Sequence, residues 1–332
     1  RRQRQMCIRD SIAPEPSIMK VLQESIMVPE NYKYAINELP EMKSAIHDWY
    51  KNRYNVELTY DEMICLQGSQ EALSTLFLAM CDPGDIVLVP DPYYPIFSDG
   101  PKIAGAKVEY MPLLQENNYV IQLDQIDEEI AKKAKIMIVS YPNNPTCAIA
   151  PDSFYEELIQ FAKKYDIVVL HDNAYSELVF DGKVGKSFLS FEGAKEIGIE
   201  LNSFSKTYGM AGARLGVCVG NKEVIDCYNT LKSNMDYGIF LPIQYAGIEA
   251  LRHGGASIHS TCQAYQDRRD AICEAFDEVG WHIDKSPATM FVWARIPDQY
   301  EDSYAFTKDL MEKTGVVVTP GQAFGVHGTR SV

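Results

Sequence analysis

Short apolar runs alternate along this chain with segments whose apolar residues recur at helical spacing. Four runs are almost continuously apolar, as strands buried on both faces of a sheet are: 85–92, 135–142, 166–172 and 214–220. Apolar residues recur at helical spacing over 73–80, before the first run, and over 154–165, between the second and third runs. This order of strand and helix predicts an α/β fold with a mostly parallel sheet, flanked by helices and joined by right-handed crossovers.

The pattern changes after residue 250. A long polar helical segment at 257–280 precedes two apolar segments, at 289–297 and 315–325. This order predicts a second, smaller α+β domain, so we expect a large domain over 12–250 and a small domain over 251–332.

Residues 1–11, RRQRQMCIRDS, have no pattern of either kind. Their back-translation fits a transposase-type sequencing-library adapter. We therefore expect residues 1–11 to be an adapter artefact and the natural N-terminal arm to be missing.

Composition excludes several classes of protein. The net charge of −15 argues against nucleic-acid binding, which needs a basic face. No apolar run approaches the roughly 20 residues of a membrane helix, so we expect no membrane association. Eight scattered cysteines without a CxxC pair are typical of reduced thiols in a cytoplasmic protein, and six histidines without ligand spacing predict no metal site.

Candidate chemistry follows three predicted strands. Asn144 lies in YPNNPT, Asp172 and Tyr175 lie in HDNAY, and Lys206 lies in SFSK. Ligand sites of open parallel sheets lie beyond the carboxyl ends of the strands, so these side chains are expected to share one site.

Two further features suit an anion. Gly68 and Ser69 precede a predicted helix that begins near Gln70, and free N–H groups at a helix start attract negative charge. Arg214 lies eight residues beyond Lys206 and offers a planar guanidinium. Each feature alone has an ordinary explanation, because Asn-Pro is usually a turn and Gly-Ser is usually a helix cap.

In this order, the motifs resemble fold-type I, pyridoxal-phosphate (PLP) dependent aminotransferases of the class I/II family. The most specific motif is Ser-x-Ser-Lys-x-x-x-x-x-Gly-x-Arg-x-Gly, from Ser203 to Gly216. The resemblance covers about 12–332 and is strongest to the LL-diaminopimelate aminotransferase and alanine-type branch. It implies a seven-stranded-type sheet in a PLP-binding large domain, a homodimer, and amino-group transfer between an L-amino acid and a 2-oxo acid.

The resemblance also implies a role for each candidate residue. Lys206 would carry PLP as a Schiff base. Asp172 would pair with the pyridine nitrogen, Tyr175 and Asn144 would hydrogen-bond the phenolic oxygen, and Tyr94 would stack on the ring. The groups expected to hold the phosphate are Ser69, Gln70, Ser203, Ser205, Arg214 and, from the neighbouring subunit, Tyr34.

Electrostatics agrees with these roles. An aspartate beside a pyridinium favours the charged form of both groups, and a protonated ring is the stronger electron sink. Lys206, once released by the substrate amine, becomes a base that can move a proton from Cα to C4′. Asp172, Tyr175 and Lys206 are therefore the predicted catalytic residues.

Two alternatives use the same motifs. A PLP-dependent C–S β-lyase would need the same lysine and aspartate. A transcription regulator can carry such a domain as an effector-binding module. The core motifs do not choose between transfer and elimination, and they do not name the amino acid or the oxo acid.

The C-terminal motif leads to one more expectation. Related chains carry Phe-Gly-x-x-Gly-x-x-x-x-Arg, whose arginine binds the substrate carboxylate, and Phe324, Gly325 and Gly328 match it. The expected arginine would follow Val332, so we expect truncation at both ends and little activity from this fragment. Arg330 is the alternative anchor, although it lies three positions early.

Overall fold

The computed structural model of the protein describes residues 12–332. The adapter predicted for residues 1–11 lies outside the described residues. At the centre is a seven-stranded sheet in the order β1-β7-β6-β5-β4-β2-β3. Its strands are β1 Met63–Leu66, β2 Ile86–Asp91, β3 Lys107–Pro112, β4 Ala134–Ser140, β5 Val168–Asp172, β6 Gly198–Ser203 and β7 Gly216–Gly220.

The predicted α/β class, the seven-stranded sheet and the four predicted strands are confirmed. The pairs between β6 and β3 are parallel, whereas β7 is antiparallel to both of its neighbours, β6 and β1. Gly216, at the start of β7, therefore pairs with Ser203 at the end of β6 and with Leu66 at the end of β1. The start of β7 thus lies at the edge where the other strands end.

Helices cover both faces of the sheet. They are α1 Pro16–Ile26, α2 Pro40–Tyr54, α3 Gln70–Met80, α4 Ile96–Ile103, α5 Glu128–Ala131, α6 Asp152–Tyr165, α7 Ala194–Ile197, α8 Phe204–Thr207, α9 Lys222–Met235, α10 Leu241–His253, α11 Gly255–Glu278 and α12 Ser303–Thr314. The two helices predicted over 73–80 and 154–165 are confirmed as α3 and α6. Helix α6 ends where Asp166 adopts a left-handed φ of 56°, just after Lys163 and Lys164 in its last turn.

The strands alternate their side chains between two apolar layers. Val139 and Val169 pack in the layer that includes residues of α2, α6 and α10, whereas Ile138 and Leu170 pack in the layer that includes residues of α3 and α9. Burial on both faces explains why the strands are almost continuously apolar in sequence.

The C-terminal part is built on α11 and α12. The apolar segment 289–297 pairs over only a few residues with residues 330–332: the Ala294 N–H donates to the Val332 carbonyl at 3.0 Å, and the Val332 N–H returns a bond of 2.9 Å. This pairing is too short to count as a strand. Helix α10 runs through residues 250 and 251, so the predicted domain boundary falls inside a helix, and the division into two domains stays a prediction.

Within 12–332, the structure has no helix that is both long and apolar enough to span a membrane.

Candidate active site

The site is organised by strand ends that share one edge of the sheet. Asp172 closes β5 and pairs in register with Ser140 on β4 and Leu201 on β6. Lys206 follows β6 on the short helix α8, where it is half-buried. Arg214 directly precedes β7, so the reversed direction of that strand brings Arg214 back to the same edge.

Asp172 is a buried carboxylate with spare hydrogen-bonding capacity. It is 7% exposed, and its Oδ1 atom has no hydrogen-bond partner among the residues that the structure describes. Burial raises the pKa of Asp172 to about 7; the Glu200 carboxylate adds to this rise, and a bond from the Ala174 N–H opposes it. A buried acid of this kind is matched to a cationic or N–H-bearing ligand group, such as a protonated pyridine nitrogen.

Two glycines shape the predicted phosphate site, residues 67–70 together with Arg214, which we call the phosphate cradle. A Cβ on Gly68, whose φ is 78°, would lie 2.5 Å from Nη2 of Arg214. A Cβ on Gly216 would lie 2.8 Å from the backbone nitrogen of Ser69. The guanidinium and the N-terminus of α3 can therefore approach each other only because both positions lack a side chain.

Arg214 is oriented by its own loop. Its φ is 55°, in the left-handed region, and its Nη1 donates to the Ala211 carbonyl at 2.8 Å. Its Nη2 also lies 3.5 Å from the carbonyl oxygen of Gln67. The guanidinium is thus held over the cradle by backbone acceptors.

Further predicted residues surround the same edge. Ser203 and Ser205 are buried, and the Ser205 N–H donates to Oγ of Ser203 at 3.2 Å. The Tyr94 hydroxyl donates to Oε1 of Gln70 at 3.1 Å. Burial raises the pKa of Tyr94, with a further rise from Asp172 and an opposing effect of Arg214. Tyr94 therefore lies within electrostatic reach of both ends of the site.

Asn144 and Tyr175 border the site from two loops. The side chain of Asn143 makes the turn, because its Oδ1 accepts the N–H and the hydroxyl of Thr146. The adjacent Asn144 is half-buried. Tyr175 is buried, and its ring packs edge-to-face against Phe291, 5.6 Å away in the C-terminal part.

Tyr34 is different, because it lies on the surface. It is 79% exposed, and its ring centroid lies 4.9 Å from that of Tyr237. Its predicted contact is with the phosphate of a neighbouring subunit, so this role stays a prediction.

Arg330, the alternative substrate anchor, is occupied elsewhere. Its guanidinium donates to the carbonyls of Tyr300 and Glu301 and lies 3.4 Å from a carboxylate oxygen of Asp298. These contacts hold Arg330 on the loop that precedes α12.

Sequence reasoning missed Lys232, which pairs with Glu71, the residue that follows the cradle. Lys232 is buried on the face of α9 that also buries Val224, Ile225 and Tyr228. A lysine at an apolar position of a helical stripe was the available signal. Its partners are described below.

Comparison with known proteins decides the family. The family model of aminotransferase class I and II matches residues 9–332. The chain belongs to this family. Its members depend on PLP, so this chain is a PLP-dependent transferase that moves amino groups, and neither the lyase nor the regulator alternative is favoured.

Individual relatives agree with this assignment. The LL-diaminopimelate aminotransferase of Halothermothrix orenii is 45% identical over 321 residues, which cover 96% of this chain and 82% of the relative. The enzyme of that name from Moorella thermoacetica is 43% identical over 324 residues, 97% of this chain and 83% of the relative.

Solved structures confirm the fold. The substrate-bound BacF structure from Bacillus subtilis superposes with a TM-score of 0.94 at 38% identity and covers 97% of this chain and 82% of that one. A probable N-succinyldiaminopimelate aminotransferase from Thermus thermophilus has a TM-score of 0.91 at 31% identity, over 98% of this chain and 87% of that one.

Proposed function

We propose that this aminotransferase holds PLP between Asp172 and the phosphate cradle, with Lys206 as the attachment point. The observation that carries the proposal is the Oδ1 of buried Asp172, unpartnered among the described residues, at the same sheet edge as the glycine-lined cradle. One end of this site suits a ring N–H and the other suits a dianion, as the cofactor requires.

When bound, PLP supplies an electron sink for the bond broken at the substrate Cα. Asp172 holds the proton on the ring nitrogen, because its charge in a buried site favours a cationic neighbour. Arg214 and the first N–H groups of α3 fix the phosphate, so the ring cannot slide relative to Asp172. The Lys206 amine moves the proton at Cα, and Tyr175 and Asn144 orient the ring through its phenolic oxygen.

We propose LL-diaminopimelate as the amino donor and a 2-oxo acid as the acceptor. Support comes from the relatives of that name at 45% and 43% identity, which match nearly the whole of this chain. LL-diaminopimelate carries an amino-carboxylate group at each end, so recognition requires a site for the distal end in addition to the reacting end.

A panel of amino donors tests this proposal. Purified protein with PLP and 2-oxoglutarate is offered LL-diaminopimelate, L-alanine, L-aspartate or L-glutamate, and kcat/KM is compared. We expect the highest value for LL-diaminopimelate. A better rate with another donor would reject the substrate, and pyruvate and ammonia released from cystathionine without an oxo acid would indicate the lyase.

We propose a homodimer formed through an exposed apolar surface, which we call the Tyr34 surface. Its members come from two segments that pack on each other: Met27, Val28, Tyr32, Tyr34, Ile36, Met235, Tyr237 and Phe240. An exposed apolar patch of this size on a water-soluble domain is typical of a protein interface. Its position next to the cradle supports the expected role of Tyr34 at the neighbouring subunit's phosphate.

We also propose a cytoplasmic location and a division into a large and a small domain. The cysteines that the structure describes are free thiols, which suits a reducing compartment. Helix α11 begins at Gly255, directly after the end of α10, and this junction is our proposed domain boundary.

A further inference from the structure

A buried ionic cluster lies directly behind the phosphate cradle. Nζ of Lys232 is 2.6 Å from Oε1 of Glu71 and 2.8 Å from Oδ2 of Asp236. Lys232 is only 4% exposed, so its charge depends on these two carboxylates for stabilisation. We call these three residues the Lys232 cluster.

The cluster is bonded to the cradle through Gln67. Oε2 of Glu71 accepts the backbone N–H of Gln67 at 2.5 Å, and the Gln67 side-chain amide donates to Asp236 at 3.4 Å. The next residues are Gly68 and Ser69, where α3 begins. Glu71 therefore fixes the backbone of Gln67 from behind, and Asp236 holds the Gln67 side chain.

The second carboxylate also fixes the segment after α9. Oδ1 of Asp236 accepts the Gly238 N–H at 2.9 Å. Burial would raise the pKa of Asp236, but the hydrogen bonds from Lys232 and Gly238 outweigh burial and lower it. Asp236 is therefore anionic at neutral pH, and Lys232 compensates its negative charge.

We propose that Lys232 is a positioning residue for the cofactor phosphate: it keeps Gln67 and the start of α3 in place, and it offsets the negative charge of Glu71 behind the phosphate site. This inference rests on the phosphate cradle proposed above.

The charge of Lys232 should affect the binding of PLP and of pyridoxal to different extents. Without Lys232, the partly buried carboxylates of Glu71 and Asp236, 15% and 23% exposed, would stand behind a site that must accept a dianion. Repulsion of this kind acts on a phosphorylated ligand and leaves a neutral analogue almost unaffected. Loss of Lys232 should therefore weaken PLP binding far more than binding of pyridoxal, which has the same ring and aldehyde but no phosphate.

The test compares the Kd values of PLP and pyridoxal for the apo-protein by visible-range absorbance titration. In Lys232→Met, a substitution of similar volume, we expect PLP to bind at least about tenfold more weakly and pyridoxal to bind within about twofold of wild type. Lys232→Arg, which keeps the charge, should restore most of the PLP affinity. If Lys232→Met does not fold, Lys232→Gln, which also removes the positive charge but keeps an N–H donor for Glu71, should show the same selective loss.

Two controls separate the possible failures. Arg53→Met breaks another half-buried ion pair, Arg53–Glu177 at 3.1 Å, and should leave the PLP-to-pyridoxal ratio unchanged. Arg214→Met should abolish the preference for PLP; if it does not, the proposed cradle itself is wrong. If Arg214→Met abolishes the preference while the uncharged Lys232 variants change both affinities equally or not at all, the positioning role is overturned and the cradle stands.

Discussion

The substitution Asp172→Asn should have opposite effects on the stability of the apo-protein and on catalysis. Burial raises the pKa of Asp172 from 3.8 to about 7, a rise of about three units. At roughly 1.4 kcal/mol per unit, ionising this buried carboxyl costs about 4 kcal/mol of folding free energy when no cationic partner is present. Asparagine has nearly the same shape and carries no charge, so it avoids this cost.

The pH dependence of the stability contributed by Asp172 follows from the protons that the folded and unfolded chains bind. Between pH 4 and 7, folded apo-protein keeps the Asp172 proton that the unfolded chain has lost. The stabilisation from this group is therefore full below pH 4 and is lost as pH rises through about 7. Relative to wild type, apo Asp172→Asn should gain stability between pH 5 and pH 8, with a limit of about 4 kcal/mol above pH 8.

The substitution Asp172→Asn should slow catalysis although it stabilises the apo-protein. Without the anion, the ring nitrogen loses the group proposed to hold its proton, and we expect kcat to fall about 10²–10³-fold. PLP should still bind, because Lys206 and Arg214 are unchanged.

Urea midpoints of the two apo-proteins at pH 5 and pH 8, together with single-turnover absorbance changes on adding an amino donor, check both effects. Asp124→Asn, at an exposed position, is the matched control and should change neither. A near-wild-type rate for Asp172→Asn, or a stability difference that does not change with pH, would refute the reasoning.

Three further predictions are open to direct measurement. In Gly68→Ala, the new Cβ would meet Arg214 at a φ of 78°, so we expect a loss of about 1–2 kcal/mol in urea unfolding and weaker PLP binding by titration. In Lys206→Met, visible absorbance of bound cofactor and the borohydride-trapped peptide should both disappear; a trapped peptide carrying another lysine would contradict the assignment. In Ile36→Glu, which places a charge at a 71% exposed apolar position, sedimentation velocity should show monomers, and an unchanged dimer would exclude the Tyr34 surface as the interface.

The sequence pattern alone could predict four strands of the sheet, β2, β4, β5 and β7, and the candidate residues that follow two of them, because local pattern determines both. Continuous apolar runs indicate doubly buried strands, and a polar residue directly after such a run must lie at the carboxyl edge. That rule suffices for Asp172 and Asn144, whereas Lys206 follows β6, whose sequence GIELNS is not a continuous apolar run. The rule uses nothing beyond the order of residues and the direction of parallel strands.

The direction of β7 could not be predicted in this way. A short apolar run is the same read in either direction, and only pairing with β6 and β1 reveals that β7 is antiparallel. By the parallel rule, Arg214 at the start of β7 would lie at the opposite edge from Asp172. The resemblance to a family placed Arg214 in the site, whereas the strand pattern could not.

Lys232 was missed for a related reason. Its partner Glu71 is 161 residues away in sequence and meets it only when α9 packs on α3. The short-range pattern shows a lysine within an apolar stripe but gives no indication of which carboxylate compensates its charge.

The antiparallel pairing of β6 with β7 has a mechanical consequence for residues 204–215, which connect the two strands. This loop is pinned at both ends by the Ser203–Gly216 pair, and it carries Lys206 near one end and Arg214 near the other. PLP bound as proposed, attached to Lys206 and held through its phosphate by Arg214, would link the two ends of this loop. Removing PLP should loosen this one segment while the sheet stays intact, so amide hydrogen exchange in apo-protein should rise over 204–215 before it rises in the strands.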